Sequence, residues 1–195
     1  MDEEAIVREI ISIPHRCCIC GGLERIEFDY MSEIQYQVTR NNKVESDFIK
    51  KGFCKYHFWT ISSLTTPEAV ASMGAMLIEN NSFSPNSCLV CEHLKAKEIE
   101  FLNEFIKDVT ATASGNADQS ERRLCQPHFR LIMKQLDRDI AKYFSSMQKF
   151  HNDQLLKELK SFVEKRNSRH ERDKNEKTSW WRAVEKIVGR KGTVT

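Results

Sequence analysis

Glycine and proline are scarce in this chain, with seven glycines and four prolines among 195 residues. Sandwich and barrel folds use many tight turns, so this scarcity is typical of helical proteins. Apolar residues make up 40% of the chain and charged residues 30%. A chain of this length can form one ordinary domain or two small ones, which excludes a large multidomain enzyme. We therefore predict an all-α protein.

Long apolar runs are missing as well. None approaches the roughly 18 residues that a membrane helix needs, and the acidic opening Met1-Asp2-Glu3-Glu4 lacks the basic and then apolar profile of a signal peptide. These absences predict a cytoplasmic protein with no membrane partner. Thirty basic and 28 acidic side chains give a net charge of +2. That balance argues against wholesale binding to nucleic acid and leaves only local basic patches open.

Familiar catalytic motifs are also lacking. The chain has no glycine-rich phosphate loop, no nucleophile elbow and no HExxH helix. The sequence therefore favours a protein that is not an enzyme, and an open coordination position at a metal would revive the enzymatic interpretation.

Seven cysteines are present, an odd number that cannot all pair within one molecule. Thiols of cytosolic proteins stay reduced, so a disulfide framework is not expected. Metal binding is the first alternative. A single CxxC pair could equally be a redox pair or two core cysteines, which makes the number and spacing of the pairs decisive.

The cysteines and histidines recur with a constant offset. Every member of an early CxxC and CxxH recurs 71 positions later, and 34 positions separate the two motifs in both copies. The same offset matches Leu23 with Leu94 and Glu27 with Glu98. We interpret this as a duplication, with repeats of about residues 13–80 and 84–150. The eight candidate ligands are Cys17, Cys20, Cys54, His57, Cys88, Cys91, Cys125 and His128.

The two motifs supply complementary halves of a metal site. A CxxC turn presents two sulfurs to one point, and a cysteine and histidine three positions apart share one face of a helix. Together they make the four ligands of tetrahedral zinc, so we predict two Cys3His zinc sites per chain, each closed and therefore structural. Pairing of the motifs within one copy and swapped pairing between copies both remain open.

Two further choices remain open at these sites. Soft sulfur ligands also suit iron, and a 4Fe-4S cluster in a redox or sensor protein is the alternative cofactor. Three thiolates and an imidazole around Zn²⁺ leave a net charge of minus one, which nearby cations would stabilise. The candidates for that role by proximity in sequence are Arg16, Lys55, Arg122 and Arg123.

Other cysteines and histidines compete weakly for ligand roles. Cys18 is interpreted as a small buried thiol that could replace Cys17, and His93 competes with His128. The remaining histidines are interpreted as surface or helix residues: His15, His151 and His170. Aromatic residues beside the motifs are interpreted as core around each site: Phe58, Trp59 and Phe129.

Apolar periodicity predicts the order of helices. The first copy contains a helix over 2–12 ended by Pro14, a tight turn at Gly21-Gly22, a helix to Val38, a polar loop over 40–47, a helix over 53–64 and another from Pro67. The second copy repeats this plan, with a loop over 114–118. A long helix, or two in line, then runs from Phe129 to about Arg169, followed by a linker over 168–178 and a short helix that Gly189 ends.

The domain prediction follows from these elements. Residues 1–150 form a tandem-repeat metal-binding domain, and residues 151–195 form a charged helical extension. Twelve basic and six acidic residues lie between Lys157 and Lys191, with the two signs interleaved. Interleaving is typical of a solvated helix, so nucleic acid is not favoured as a partner and a protein is. Trp180 and Trp181 either dock the last helix or form an exposed anchor for that partner.

The metal motifs carry a family resemblance. The segments 17–20, 52–59, 88–91 and 124–128, with the closing segment 181–189, resemble a family of bacterial and archaeal proteins of unknown function that have tandem CxxC and CxxH motifs. The resemblance spans most of the chain and implies metal ligation in a prokaryotic cytosolic protein, without naming a reaction. This chain departs from the family at Cys18 and Leu89, where its members tend to have proline.

Overall fold

The computed structural model describes residues 16–38, 40, 42–82, 87–112, 123–165 and 173–189. These residues form eight helices and no strand, with one isolated parallel bridge between Cys17 and Arg123. The all-α prediction is therefore confirmed. The helices are α1 (Cys18–Gln37), α2 (Asn42–Lys51), α3 (Lys55–Leu64), α4 (Pro67–Glu79), α5 (Leu89–Thr112), α6 (Gln126–Met133), α7 (Arg138–Glu164) and α8 (Lys174–Val188).

The predicted tight turn at Gly21-Gly22 is wrong, because both glycines lie inside α1. The Gly21 N–H donates to the Cys17 carbonyl at 3.0 Å, which is already the helical i to i−4 bond. Both glycines are buried. Glycine in the interior of a helix costs conformational entropy. In α1 this cost occurs in a part of the helix that is buried. The second cysteine of each CxxC therefore lies in the first turn of a helix, since Cys91 occupies α5 in the same way.

The predicted polar loop over 40–47 is also wrong, because α2 begins at Asn42. Phe48, the one fully buried side chain among those described in α2, anchors the helix to the core. The polar residues before Phe48 have a weak preference for loop over helix. Burial of the Phe48 ring outweighs that preference, so the segment is helical. Gly52 follows α2 with a φ of +61°, the left-handed conformation that glycine adopts most easily.

The predicted long helix after Phe129 is two helices. The break lies at residues 134–137, between the end of α6 and the start of α7. The predicted linker over 168–178 is wrong in its second half, because α8 begins at Lys174 behind a capping box. Asp173 accepts from the Glu176 N–H at 2.8 Å, and Glu176 accepts from the Asp173 N–H at 3.1 Å. Gly189 ends this helix, as predicted.

The chain divides into two compact units. Leu23–Ile99 form one, which we call the central unit, and the described residues up to Gly22 and from Glu100 onward form the other, which we call the terminal unit. The boundary that the sequence suggested at residue 150 falls inside α7.

Each unit has its own apolar core. In the central unit α3 packs on α4, and fully buried side chains come from four helices: Phe48, Ile61, Met73 and Leu94. In the terminal unit α8 packs on α6 and α7. There the rings of Phe105 and Phe144 meet edge to face with centroids 5.6 Å apart, an arrangement that adds to their burial.

Some predictions lie outside the described residues. These are the helix over 2–12, Pro14, the loop over 114–118, and the roles of His15, Arg122 and His170. Among the helices that are described, none combines the length and apolarity needed to cross a membrane.

Candidate metal centres

The eight predicted ligands form two groups, each with three cysteines and one histidine. Site 1 contains Cys17, Cys20, Cys125 and His128, and site 2 contains Cys54, His57, Cys88 and Cys91. Within each group the four ligand atoms all lie within 4.8 Å of one another. Each site therefore takes its CxxC from one copy and its CxxH from the other. The alternative in which each copy closes its own site is wrong, and swapped pairing is what the structure has.

The two CxxH motifs have the same local geometry. Cys54 is the N-cap of α3 with φ −69° and ψ 166°, and Cys125 is the N-cap of α6 with φ −69° and ψ 165°. An N-cap residue has extended backbone angles, so the next turn of helix carries the histidine over the cysteine sulfur. Sγ and the imidazole Nδ1 are 3.1 Å apart in both pairs.

The two CxxC motifs are anchored in matching ways. The Cys18 N–H donates to the Arg123 carbonyl at 3.2 Å, and the Leu89 N–H donates to the Gly52 carbonyl at 3.2 Å. Donors and acceptors are each 71 positions apart in sequence. These two bonds hold each CxxC against the segment that leads into the partner CxxH. The common origin of the two copies stays a prediction that this match supports.

In site 1 the three sulfurs converge on the histidine nitrogen. The Sγ atoms of Cys17, Cys20 and Cys125 lie 3.3, 3.4 and 3.1 Å from Nδ1 of His128, and Cys20 and Cys125 have their sulfurs 3.7 Å apart. All four residues are buried. Because the four donor atoms converge, one ion suffices to contact them all.

Site 2 has the same shape and is less covered. The Sγ atoms of Cys54, Cys88 and Cys91 lie 3.1, 3.4 and 3.3 Å from Nδ1 of His57, and Cys54 and Cys91 have their sulfurs 3.8 Å apart. His57 and Cys88 are buried, whereas Cys54 and Cys91 are half-buried. Solvent and competing ligands therefore approach site 2 more easily than site 1.

In site 2, the thiols of Cys88 and Cys91 do not ionise together without a cation between them. All seven cysteines are free. In site 2, burial raises the pKa of Cys88, but the hydrogen bonds from His57 and from the Cys54 and Cys91 backbone together outweigh it and lower that pKa to about 6. Burial and the neighbouring Cys88 thiolate raise the pKa of Cys91 well above its usual range. Binding all the sulfurs as thiolates thus calls for a cation that supplies the missing positive charge.

Glu27 holds the outer nitrogen of the site 2 histidine. Its Oε1 lies 3.2 Å from His57 Nε2, and Glu27 is only 6% exposed. Burial acts to lower the pKa of His57, but hydrogen bonds to Cys88 and Glu27 dominate and raise it to about 10. A carboxylate on the outer nitrogen fixes the ring orientation and makes Nδ1 a better metal donor. In sequence, the only signal for this role is the recurrence of Glu27 as Glu98, which is also buried.

Glu27→Gln is expected to weaken metal binding at site 2 by about 10 to 100-fold, because the amide keeps the shape but loses the charge that strengthens the imidazole as a ligand. Competition with a colorimetric chelator measures this as one metal released at lower chelator concentration, with the second unchanged. Glu33→Gln, an exposed position on the same helix α1, is the matched control. Release curves identical to those of the unmodified protein would contradict the role of Glu27.

Site 1 is supported by the last two long helices. The Leu124 carbonyl, next to Cys125, accepts from Gln148 Nε2 of α7 and from Lys186 Nζ of α8, both at 2.7 Å. Burial lowers the pKa of Lys186 to about 8, although the thiols of Cys17 and Cys125 act in the opposite direction. Sequence reasoning missed both supporting residues, because each lies far along the chain from the motif that it supports.

The cationic residues predicted to lie near the metal sites occupy different positions in the structure. Arg16 and Arg123 line a cavity together with two site 1 cysteines, and Arg16 Nε lies 3.6 Å from Glu185 Oε2. Lys55 is exposed on α3.

The competing residues stay outside both groups. Cys18 is buried but belongs to neither group, and burial followed by the neighbouring Cys17 raises its pKa. His93 stacks on Tyr30 with ring centroids 3.9 Å apart. His151 lies buried on α7. Trp59 is 69% exposed, so its predicted core role is wrong: it lies on the opposite side of α3 from the buried His57 and Ile61.

The chain matches no family model, no curated protein and no solved structure. The resemblance to tandem CxxC and CxxH proteins stays a prediction, and the two sites themselves carry the functional argument.

Proposed function

We propose that this protein binds two Zn²⁺ ions, one in each Cys3His site, and that both ions have a structural role. The main observation in support of this proposal is the spacing of the donor atoms. A tetrahedron with zinc–sulfur distances of about 2.3 Å and zinc–nitrogen distances of about 2.0 Å places sulfurs about 3.8 Å apart and sulfur about 3.5 Å from nitrogen. One pair of sulfurs in each site has this spacing, 3.7 Å in site 1 and 3.8 Å in site 2, and the sulfur–nitrogen separations run from 3.1 to 3.4 Å.

The same spacing argues against a 4Fe-4S cluster. The four ligands of such a cluster bind four different irons and surround a body of eight atoms, so their donor atoms stand further apart than ligands that share one ion. All four donors of each group lie within 4.8 Å of one another, which suits a single ion. Four protein ligands also fill the tetrahedron and leave no coordination position for water or substrate, which supports a structural role over a catalytic one.

Metal analysis of the full-length protein, purified without oxygen, tests this proposal. We expect two zinc ions per chain, no acid-labile sulfide and no visible absorption. A brown protein with charge-transfer bands and labile sulfide would overturn it in favour of the cluster. Iron without sulfide would overturn the choice of zinc while leaving the ligand groups intact.

We further propose that α8 presents this scaffold to a protein partner. Its inner side is polar, with Glu176, Ser179 and Glu185 buried against the terminal unit, where Lys165 Nζ donates to Glu176 at 2.7 Å. The exposed side of its second half is apolar, and each of these side chains is at least half exposed: Trp180, Trp181, Val184, Ile187 and Val188. The helix is thus docked by its polar residues, and its exposed apolar residues lie outside that contact, apart from the Trp181 Nε1, which donates to Glu185 Oε1 at 3.2 Å.

The spacing of these exposed residues suits an apolar groove on another protein. Positions i, i+4 and i+7 on one helical face are the anchors that grooves accept from amphipathic helices. Tryptophan is also the residue type most enriched at binding hot spots. A phosphate backbone would gain no charge contact from this apolar surface, which argues for protein over nucleic acid.

The combined change Val184→Glu and Ile187→Glu is expected to abolish partner binding, because two carboxylates would have to be buried in an apolar groove. Folding should be unchanged, since both side chains already face solvent. Affinity capture, followed by a binding titration with the purified captured protein, should show a loss greater than tenfold. Lys149→Glu, on the exposed side of α7, changes the net charge equally and serves as control. Equal binding by the combined variant, or self-association as the only interaction, would refute the proposal.

A further inference from the structure

A small cavity of about 40 Å³ opens beside site 1 in the terminal unit. Sulfur ligands Cys17 and Cys125 contribute to its wall, and the side of α8 that faces the unit contributes Arg182 and Lys186. Neither the metal site nor the exposed face of α8 accounts for this cavity.

Four cations lie around this cavity, from three separate parts of the chain. Arg16 precedes α1, Arg123 precedes α6, and Arg182 and Lys186 stand one helical turn apart on α8. Among the described residues of the wall, Glu185 is the single carboxylate. A zinc ion with three thiolates and one imidazole adds minus one, so the wall keeps a net charge of +2. Glu158, which pairs with Arg182 from outside the wall, reduces the local balance to +1.

The cationic groups are already held in place. The Arg182 guanidinium donates through Nη2 to Glu158 and to the Asn175 carbonyl, and through Nε to Thr178 Oγ1 at 3.3 Å. Lys186 uses one donor on the Leu124 carbonyl, and an ammonium group has three. Fixed donors around an existing space lower the ordering cost of binding an anion.

We propose that this cavity binds a single phosphate group, either as the free ion or as the end of a phosphate monoester. A water molecule needs roughly 10 to 15 Å³ of such space, so the cavity holds about three waters or one tetrahedral oxyanion. Guanidinium groups bind phosphate through charge-assisted hydrogen bonds, and lysine adds a point charge. The small size excludes a stretch of nucleic-acid backbone, which would need a groove.

Phosphate titrations into the full-length, metal-loaded protein test this assignment. Binding is followed by calorimetry or phosphorus NMR at constant ionic strength, with inorganic phosphate in one arm and glycerol 3-phosphate in the other. We expect saturable binding of one equivalent in at least one arm. Tighter binding of the free ion identifies it as the ligand, and tighter binding of the ester identifies an extended ligand that enters by its phosphate.

Arg182→Gln and Arg16→Gln are each expected to weaken phosphate binding by about tenfold, which corresponds to loss of one charge-assisted contact. Arg138→Gln, on the exposed start of α7, is the matched control and should bind like the unmodified protein. If Arg182→Gln fails to fold because its contact to Glu158 is lost, Arg16→Gln decides, since that side chain is 42% exposed.

Metal content measured in the same samples separates this site from the zinc proposal. Weakened phosphate binding with both metals retained supports a distinct anion site. The proposal is overturned if neither phosphate arm saturates, or if the variants bind phosphate like the control. It is equally overturned if Arg182→Gln loses metal from site 1 while the unmodified protein binds no phosphate, because the cations would then only balance the thiolate charge.

Discussion

A protein carrying Cys17→Ser together with Cys125→Ser is expected to retain one zinc ion, whereas Cys17→Ser together with Cys54→Ser is expected to retain none. The first pair removes two ligands from site 1 and leaves site 2 whole, because the structure groups Cys17 with Cys125. The second pair removes one ligand from each site. Pairing within each copy predicts the opposite result for both proteins, so the two measurements decide between the alternatives.

Zinc content per folded chain, measured after gel filtration in the presence of a weak chelator, gives the readout. Single changes at Cys54 or Cys125 should lower the content from two to one. Cys18→Ser should retain two, because Cys18 belongs to neither group. A common zinc content for the two double variants would show that the sites do not form as the structure has them.

The identity of the ligands followed from sequence, but their pairing did not. The CxxC and CxxH of each copy are separated by 34 positions, a length that allows a local return and makes pairing within a copy feasible. In the structure, site 2 closes between motifs 31 positions apart, from His57 to Cys88, while site 1 joins Cys20 to Cys125 across 105 positions. Entropy of loop closure rises only by about 0.6 kcal/mol per doubling of length. The spacing of the motifs along the chain therefore does not determine which arrangement forms. The packing of the helices determines it.

The helices were predictable where an apolar stripe matched burial, as in α4, which begins at Pro67 as expected. Prediction failed where a few buried residues outweighed local composition. One phenylalanine, Phe48, is enough to fix α2 in a polar segment. In α8 the apolar stripe does exist, and periodicity alone assigns it to the core. The structure instead buries Glu176 and Glu185, because Lys165 and Arg16 offer them ion pairs that no local pattern shows.

The residues that support the two sites differ in whether the sequence indicated their roles. Glu27 repeats with the same offset as the ligands, so its role at His57 had a signal in the sequence. Lys186 and Gln148 have no such signal, because they reach the Leu124 carbonyl from 62 and 24 positions away. Their contribution depends on how α7 and α8 pack in the terminal unit. Polar support that comes from distant helices is a property of the tertiary structure.

Removal of both metal ions is expected to loosen or unfold the protein. Structural zinc contributes about 10 to 16 kcal/mol of apparent free energy at neutral pH, which equals or exceeds the 5 to 15 kcal/mol that typically stabilises a whole domain. Without a cation, the three cysteines of site 1 would remain buried around an imidazole, and each motif would lose the bond that holds it to its partner. Circular dichroism should show reduced helicity and a lower thermal midpoint after chelation.

The order of release provides a sharper form of this prediction. Cys54 and Cys91 are half-buried, whereas every ligand of site 1 is buried, so a chelator should remove the site 2 ion first. The protein with one ion removed should keep the structure of the terminal unit, since site 1 lies within it. Added zinc should restore helicity, because the cysteines are free and need no reduction. Unchanged helicity and an unchanged thermal midpoint in fully metal-free protein would show that apolar packing alone holds the helices, and that the ions bind a scaffold already formed.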